Sequence, residues 1–425
     1  MAELQRTLGT RGLVVHYVSS VMGVGVLVLP GIAYGIAGPA SLLAWLALVA
    51  FSYPFALIFA RMSMRYPNAR GVIEFIEAAF GPRVASRTGV FLLITLIVAN
   101  PLLAVAAARY LGEVLHITAN RDVLLLGAGI MLGSIVLNLF GIRVNVRAQG
   151  ILLTLLIIFI MSTCVVAFST VAEIEQATPV FPNGLTALGM ALIVCFFGFI
   201  GWENAAPVAE EVVDPDRTFP RAILVGVILV GAIYVTMAAT VVLSLSTETG
   251  FASGATSFSY ILQRIGGPEV GAAGSIVAAG LMMMTTNAWT LGTSRFLFGL
   301  SRSGDVPKGL AHVSGDAAVP RRALIALIFL YGATIAGLYV VNGTELTIIE
   351  LSSSGFLLFF LIGFVAAART LERRRLRITA VAVGAVTLFM LAINPTGLGF
   401  CAVALLIAEG VRQAQSRREC PAVSS

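Results

Sequence analysis

The stretch Ser19-Ser20-Val21-Met22-Gly23-Val24-Gly25-Val26-Leu27-Val28-Leu29-Pro30 decides how this chain is read. It lies inside an apolar run long enough to cross a bilayer, yet it carries two glycines and a proline where a continuous helix would avoid them. Backbone N–H and C=O groups freed in lipid are tolerated only where they line a cavity or are buried in protein. A second such stretch, Cys195-Phe196-Phe197-Gly198-Phe199-Ile200-Gly201-Trp202-Glu203-Asn204, occurs at the corresponding place in the other half of the chain. Glycines in one span alone are equally well read as close helix packing by small residues. The pair points to a binding site at the membrane midplane.

The surrounding composition is that of a polytopic membrane protein. Of the 425 residues 58% are hydrophobic and 11% charged, with a mean hydropathy of +0.96, whereas about a quarter of the residues of soluble domains are charged. Apolar stretches of the roughly 17 to 25 residues needed to cross a bilayer recur throughout. They predict about twelve spans, at 13–36, 40–62, 88–111, 122–141, 147–170, 187–207, 222–244, 269–296, 322–341, 346–368, 378–393 and 396–411. The last two are short, and the turn Asn394-Pro395-Thr396-Gly397 between them leaves open a hairpin that fails to cross. Val72 to Phe80 alternates apolar and acidic positions as a short interfacial helix would.

Cytoplasmic loops retain Lys and Arg. Placing both termini in the cytoplasm puts all of the 27 basic residues there except Arg109, Arg121 and Arg264. That segregation accounts for the net charge of +6. No basic cluster is interleaved with stacking aromatics, so nucleic acid is not an expected partner, and Arg369 to Arg377 reads as an anchor beside anionic lipid. Cys164, Cys195 and Cys401 fall in spans and Cys420 in the C-terminal tail, which leaves no extracellular disulfide framework. The first apolar segment is expected to stay as an uncleaved helix in a bacterial inner membrane.

Five spans separate the two breaks, so spans six to ten enter the membrane from the side opposite to spans one to five. This is the geometry of inverted repeats, 1–170 and 187–368, with 378–411 as additional helices. At the first break, amides of Met22, Gly23, Val24, Gly25 and Val26 beside a half-helix N-terminus favour a carboxylate. At the second, carbonyls freed around Phe197, Gly198, Phe199, Ile200, Gly201 and Trp202 are placed to accept from an ammonium group, with the aromatics covering an apolar side chain. Asn100, Trp289 and Ser354 are further pocket candidates, each weighed against the commoner role of polar residues in gluing helices together. Glu203 has two readings, a carrier of the coupling proton or a partner of a loop arginine. No metal-ligand spacing, nucleophile–base pair or phosphate loop occurs, so no cofactor is expected and an intramembrane enzyme is poorly supported.

These motifs resemble the amino acid-polyamine-organocation (APC) family of transporters. Gly23-Val24-Gly25 is similar to its first-span Gly-x-Gly break, and Phe196 to Glu203 to its second. The string Glu210-Glu211-Val212-Val213-Asp214-Pro215-Asp216-Arg217-Thr218-Phe219-Pro220-Arg221-Ala222-Ile223 resembles its acidic loop ending in Pro-Arg-Ala. Further matches run from Tyr66-Pro67 through Gly71 to Phe80-Gly81, and from Arg295 through Arg302-Ser303-Gly304-Asp305-Val306-Pro307-Lys308 to Val319-Pro320. The resemblance implies an all-α fold with discontinuous helices 1 and 6, a bundle of spans 1, 2, 6 and 7 rocking against spans 3, 4, 8 and 9, and a zwitterionic substrate. The compact length is similar to that of the small bacterial exporters of neutral amino acids, which implies efflux of a neutral, apolar amino acid by proton antiport, with proton-coupled uptake or exchange as the alternative. A membrane-embedded enzyme or a sensor is the reading from another class. Two departures stand out: the lysine some proton-coupled relatives carry in the fifth span is missing, Lys308 being the only lysine, and Arg70-Gly71 replaces a frequent Gly-Gly.

Overall fold

The computed structural model describes residues 8–22, 25–66, 71–140, 146–170, 181–205, 212–245, 254–312 and 319–419. Gly23 and Val24, and Glu210 and Glu211 of the acidic string, lie outside the described residues. The protein is a bundle of helices, as expected where backbone groups must satisfy one another within each segment. Among the described residues the one extended pairing is Leu8 against Val212.

The first span consists of α1 (Thr10–Val21) and α2 (Gly25–Ala37). After a 3₁₀ turn at Gly38–Ala40 come α3 (Ser41–Arg65) and the interfacial α4 (Val72–Phe80), the latter spanning the residues the alternation predicts. The third span is α5 (Pro82–Ala99) with α6 (Pro101–Leu115), followed by α7 (Asn120–Leu139) and α8 (Val146–Thr170). The sixth begins as α9 (Gly184–Phe197) and resumes as a 3₁₀ turn, Trp202–Ala205. Then come α10 (Pro215–Leu245), the 3₁₀ turn Gly254–Thr256, α11 (Ser257–Gly266) and α12 (Pro268–Ser303). The chain closes with α13 (Arg321–Val341), α14 (Glu345–Thr370), α15 (Arg374–Ala392) and α16 (Pro395–Glu419). Nine continuous stretches among the described residues are long and apolar enough to cross a membrane, and the two final helices are both among them.

Two boundaries and one span interior differ from the expected ones for identifiable reasons. Helix α10 starts at Pro215 rather than at 222, because Pro215 occupies the first helical position and Thr218 closes the first turn, donating from N to Asp214 O at 2.9 Å and from Oγ1 to Val213 O at 2.6 Å. Helix α12 runs on to Ser303, where Gly304 adopts φ 85° and ψ 6° and receives the left-handed C-terminal turn. The third span carries a break in its hydrogen bonding at Pro101, which has no N–H for the Ile97 carbonyl; Thr334 Oγ1 of α13 donates to that carbonyl at 3.4 Å instead.

Helix α11 is not foreseen in the sequence reading. It stands to α10 and α12 as α4 stands to α3 and α5, and the two corners share a geometry. Gly81 has φ 84° and ψ 171°, Gly267 has φ 85° and ψ 178°, and each is followed by a proline at the first position of the next helix. A methyl group at either glycine would meet nothing within 4 Å, so the positive φ itself, rather than space, calls for glycine there.

Two polar faces bound the bundle. On the face that bears the N-terminus, Arg61 pairs with Asp216, Arg65 with Glu372 and Arg87 with Glu409, joining the ends of α3, α5, α10, α14 and α16. On the opposite face, Asn183 Nδ2 donates to Ile36 O at 2.7 Å and ties the start of α9 to the end of α2. The three arginines that break the charge asymmetry of the sequence all sit on that second face, and each is engaged. Arg109 forks onto Glu345, Arg121 lies 5.1 Å from the Tyr339 ring centroid, and Arg264 Nη1 donates to Ser244 O at 2.9 Å.

Candidate functional site

Both sequence-predicted interruptions are present. Helix α1 ends at Val21, Met22 leaves helical geometry with φ −79° and ψ 82°, and α2 begins at Gly25. Helix α9 ends at Phe197, and three tight-turn bonds carry the chain onward, from Gly198 N to Cys195 O, Phe199 N to Phe196 O and Ile200 N to Phe197 O. Gly201 then takes φ 129°, a conformation open to glycine and strained for other residues.

The interruptions are in contact with each other. A methyl group on Gly25 would lie 2.8 Å from Tyr234 Oη and 3.0 Å from the Gly198 Cα, and one on Gly201 would lie 2.5 Å from Ser20 O. Glycine at these positions therefore serves two ends: it loosens each helix and lets the two backbones touch. Val26 and Trp202 are buried, as are Met22, Phe197, Phe199 and Ile200.

What joins the breaks is a residue that sequence reasoning missed. Tyr234, in the middle of α10, places its hydroxyl 2.8 Å from Gly198 O and 3.2 Å from Val21 O, carbonyls at the points where each helix gives way. A phenol has one proton to donate, so it serves the two acceptors as a bifurcated bond, leaving both carbonyls with unused capacity. The ring stacks on Trp45 at 4.8 Å between centroids and contacts Phe199 at 5.3 Å, while Trp45 also meets Phe199 at 5.8 Å. On the other side of the break, Tyr17 of α1 contacts Trp202 at 5.3 Å. The buried Tyr17 Oη, Trp45 Nε1 and Trp202 Nε1 have no hydrogen-bond partner among the described residues. Tyrosine and tryptophan inside an apolar run read as ordinary core, and nothing in the spacing marks Tyr234 apart from Tyr17.

Glu203 turns back on its own break: its Oε2 accepts from the Gly201 N–H at 2.9 Å. Among the described residues no arginine pairs with it. It therefore holds one of the amides that the interruption frees, while remaining partly accessible.

Of the other candidates, Asn100 and Ser354 are engaged elsewhere. Asn100 donates from Nδ2 to Thr293 Oγ1 of α12 at 2.7 Å and to Tyr331 Oη of α13, binding together the third, eighth and ninth spans at the Pro101 kink. A neighbouring seam joins α7 to α12 through Asn138 Nδ2 to Asn287 Oδ1 at 2.6 Å and Ser134 Oγ to Thr290 Oγ1 at 3.1 Å. Ser354 Oγ accepts from Asn394 Nδ2 at 3.0 Å and presses on Gly397, which seats the final hairpin on α14. Trp289 is half-buried on α12. None of the three makes a hydrogen bond or ring contact with the interrupted segments among the described residues.

A span interrupted between α1 and α2, touching the broken end of α9 within a multi-pass helical bundle, is the arrangement of a membrane transport protein. Residues 8–416 match the family described as amino acid permease, and the chain belongs to that family. It is 26% identical over 377 residues to the amino acid permease YecA of Bacillus subtilis, itself uncharacterized, covering 88% of this chain and 87% of the relative. It is 32% identical over 238 residues to the L-methionine/branched-chain amino acid exporter YjeH of Escherichia coli, covering 55% of this chain and 56% of the relative. The branched-chain amino acid permease BcaP of Bacillus subtilis is 26% identical over 330 residues, with 73% and 70% covered.

Proposed function

We propose that this permease moves a neutral, apolar amino acid by alternating access, with efflux in exchange for protons as its working mode. The solute's carboxylate is held at the Met22 to Val26 break and its ammonium at the Phe197 to Trp202 break, with Trp45 and Phe199 against the side chain. The observation that carries this reading is the single Tyr234 hydroxyl shared between Val21 O and Gly198 O. Two under-supplied carbonyls from two spans, a few ångströms apart, are what an ammonium group with three donors completes. The charged side chain at the breaks among the described residues is Glu203, already bound to the Gly201 amide, so no free countercharge awaits a second cationic group. The relatives YjeH, an exporter of L-methionine and branched-chain amino acids, and BcaP, a branched-chain amino acid permease, support the same substrate class.

The matched corners at Gly81-Pro82 and Gly267-Pro268 support an inverted repeat of residues 1–170 and 187–368, with 378–411 appended and twelve crossings in all. Arginine segregation supports cytoplasmic termini in a bacterial inner membrane. Glu203 is the proposed proton carrier, because protonation would remove the charge that strengthens its bond to the Gly201 amide. Counterflow in oriented proteoliposomes, run with and without a pH gradient, tests direction and coupling together. Methionine or leucine should drive exchange and arginine or putrescine should not; the reverse preference would discard the substrate assignment.

A further inference from the structure

One turn of the third span holds the face opposite the N-terminus together. Arg109 of α6 donates from Nε and Nη2 to both carboxylate oxygens of Glu345, at 2.8 and 2.9 Å, and from Nη2 to Asn120 Oδ1 at 2.7 Å. Glu345 opens α14 and its side chain is 5% exposed, so this fork is largely withdrawn from water. Asn120 in turn donates to Gly343 O at 2.9 Å in the turn that precedes α14. The next residue, Tyr110, points to a different neighbour and donates to Leu27 O of α2 at 2.9 Å. One turn further on, Glu113 accepts from Ser275 Oγ of α12 at 3.2 Å, and Ser275 pairs with Ser259 of α11 at 2.6 Å. Side chains at 109, 110 and 113 thus reach α2, α7, α12 and α14, and α11 through one serine.

Two of these links differ from the rest in what they join. Leu27 lies in the first turn of α2, directly beyond the break, and Glu345 begins the tenth span; α11 and the 3₁₀ turn before it pack on α2. Helices α2 and α14 both pack on α9, the helix that ends at the second break, and both are tied here to α6.

We infer that Arg109 and Tyr110 form the lock of the gate on the face opposite the N-terminus: the Tyr110–Leu27 bond and the Arg109–Glu345 fork keep α2 and α14 closed over the midplane site, and both must break for solute to pass that face. The inference rests on the proposed transport site and on the orientation that makes this face extracellular. Its test reads thiol accessibility rather than transport, and it separates failure of the lock from failure of the orientation.

Ser257 supplies a reporter. It is fully buried where the 3₁₀ turn meets α11, and its hydroxyl has no partner among the described residues, so Ser257→Cys removes no bond seen there. Right-side-out and inside-out vesicles carrying Ser257→Cys are treated with a membrane-impermeant maleimide, and labelling is resolved by mass spectrometry at the introduced thiol and at the native, buried Cys401 of α16. Adding Tyr110→Phe removes one hydrogen bond and should raise the labelling rate of the introduced thiol about five-fold in right-side-out vesicles. Glu345→Gln replaces a charge-assisted fork by a neutral contact and should raise it by roughly ten-fold or more. Cys401 labelling should stay at its parent value, because a gate opens one face whereas a loosened fold would expose both sites. Unchanged labelling of the introduced thiol in Tyr110→Phe overturns the lock, and this near-isosteric variant decides the matter even if Glu345→Gln fails to insert. A matching rise at Cys401 also overturns it, in favour of a structural role. Faster labelling confined to inside-out vesicles leaves the lock standing and overturns the orientation instead.

Discussion

Replacing Gly25 by alanine, alone and with Tyr234→Phe, tests whether the contact between the two breaks organises the site. The new methyl would sit 2.8 Å from Tyr234 Oη, and against the 3.4 Å at which ordinary contact begins it must retreat by about 0.6 Å, the difference of the two. It cannot retreat freely, since the Gly198 Cα stands 3.0 Å away on the other break. Overpacking of this kind costs about 1–3 kcal/mol. If the hydroxyl is pushed aside instead, Gly198 O and Val21 O lose their shared donor, at about 1–3 kcal/mol. Alanine's lower unfolded-state entropy works in the opposite direction but contributes only ~0.4–1 kcal/mol. Gly25→Ala should therefore destabilise by about 2 kcal/mol, and Tyr234→Phe by about 1–2 kcal/mol through the lost bond. In the double variant the oxygen that the methyl strikes is gone, so the two losses should fall short of additivity by about 1 kcal/mol. Thermal denaturation of the four purified proteins measures stability, and leucine counterflow measures function, which should fall in both singles because the carbonyl pair is displaced. Strict additivity, or wild-type counterflow in Gly25→Ala, would refute the idea that Gly25, Gly198 and Tyr234 act as one unit.

Gly201→Ala should be the most damaging of the small substitutions, because φ 129° costs about 1–3 kcal/mol for a non-glycine residue and the methyl meets backbone at Ser20 O rather than a movable side chain; the yield of monodisperse protein on size exclusion is the measurement. Gly81→Ala and Gly267→Ala, which have open space and the same positive φ, should each lower stability by a similar amount, about 1–3 kcal/mol, and a large disparity between their melting shifts would argue against the two corners being structural equivalents. Glu203→Gln keeps an oxygen acceptor for the Gly201 amide while removing the charge, so it should preserve folding and solute-driven counterflow but abolish stimulation by a pH gradient. Persistent pH stimulation would reassign the proton to another group.

Much of this was legible without coordinates because a bilayer restricts the alternatives so severely. Apolar length locates spans, and glycine clusters are conspicuous where lipid forbids a loose backbone. The interruptions at Met22 to Gly25 and Gly198 to Gly201 were therefore visible as local chemistry, and so was the interfacial helix at Val72 to Phe80. Helix α11 escaped because its serines dilute the apolar face. Asn100 and Ser354 were conspicuous as polar residues in spans, yet hydrogen bonds to Thr293, Tyr331 and Asn394 occupy them in helix packing. A polar side chain in a span advertises that it needs a partner, not which partner it has.

The sequence alone determined that helical backbone would be loosened at two places, Met22 to Gly25 and Gly198 to Gly201. Only the tertiary structure decided where the freed groups go: Gly25 against Gly198, Gly201 against Ser20, and one hydroxyl from Tyr234 shared between carbonyls from two spans. The physical reason is range. Helix breaking is decided by a residue and its neighbours within a turn, whereas a hydrogen bond across 213 positions of chain, from Tyr234 to Val21, exists only once every intervening helix has packed.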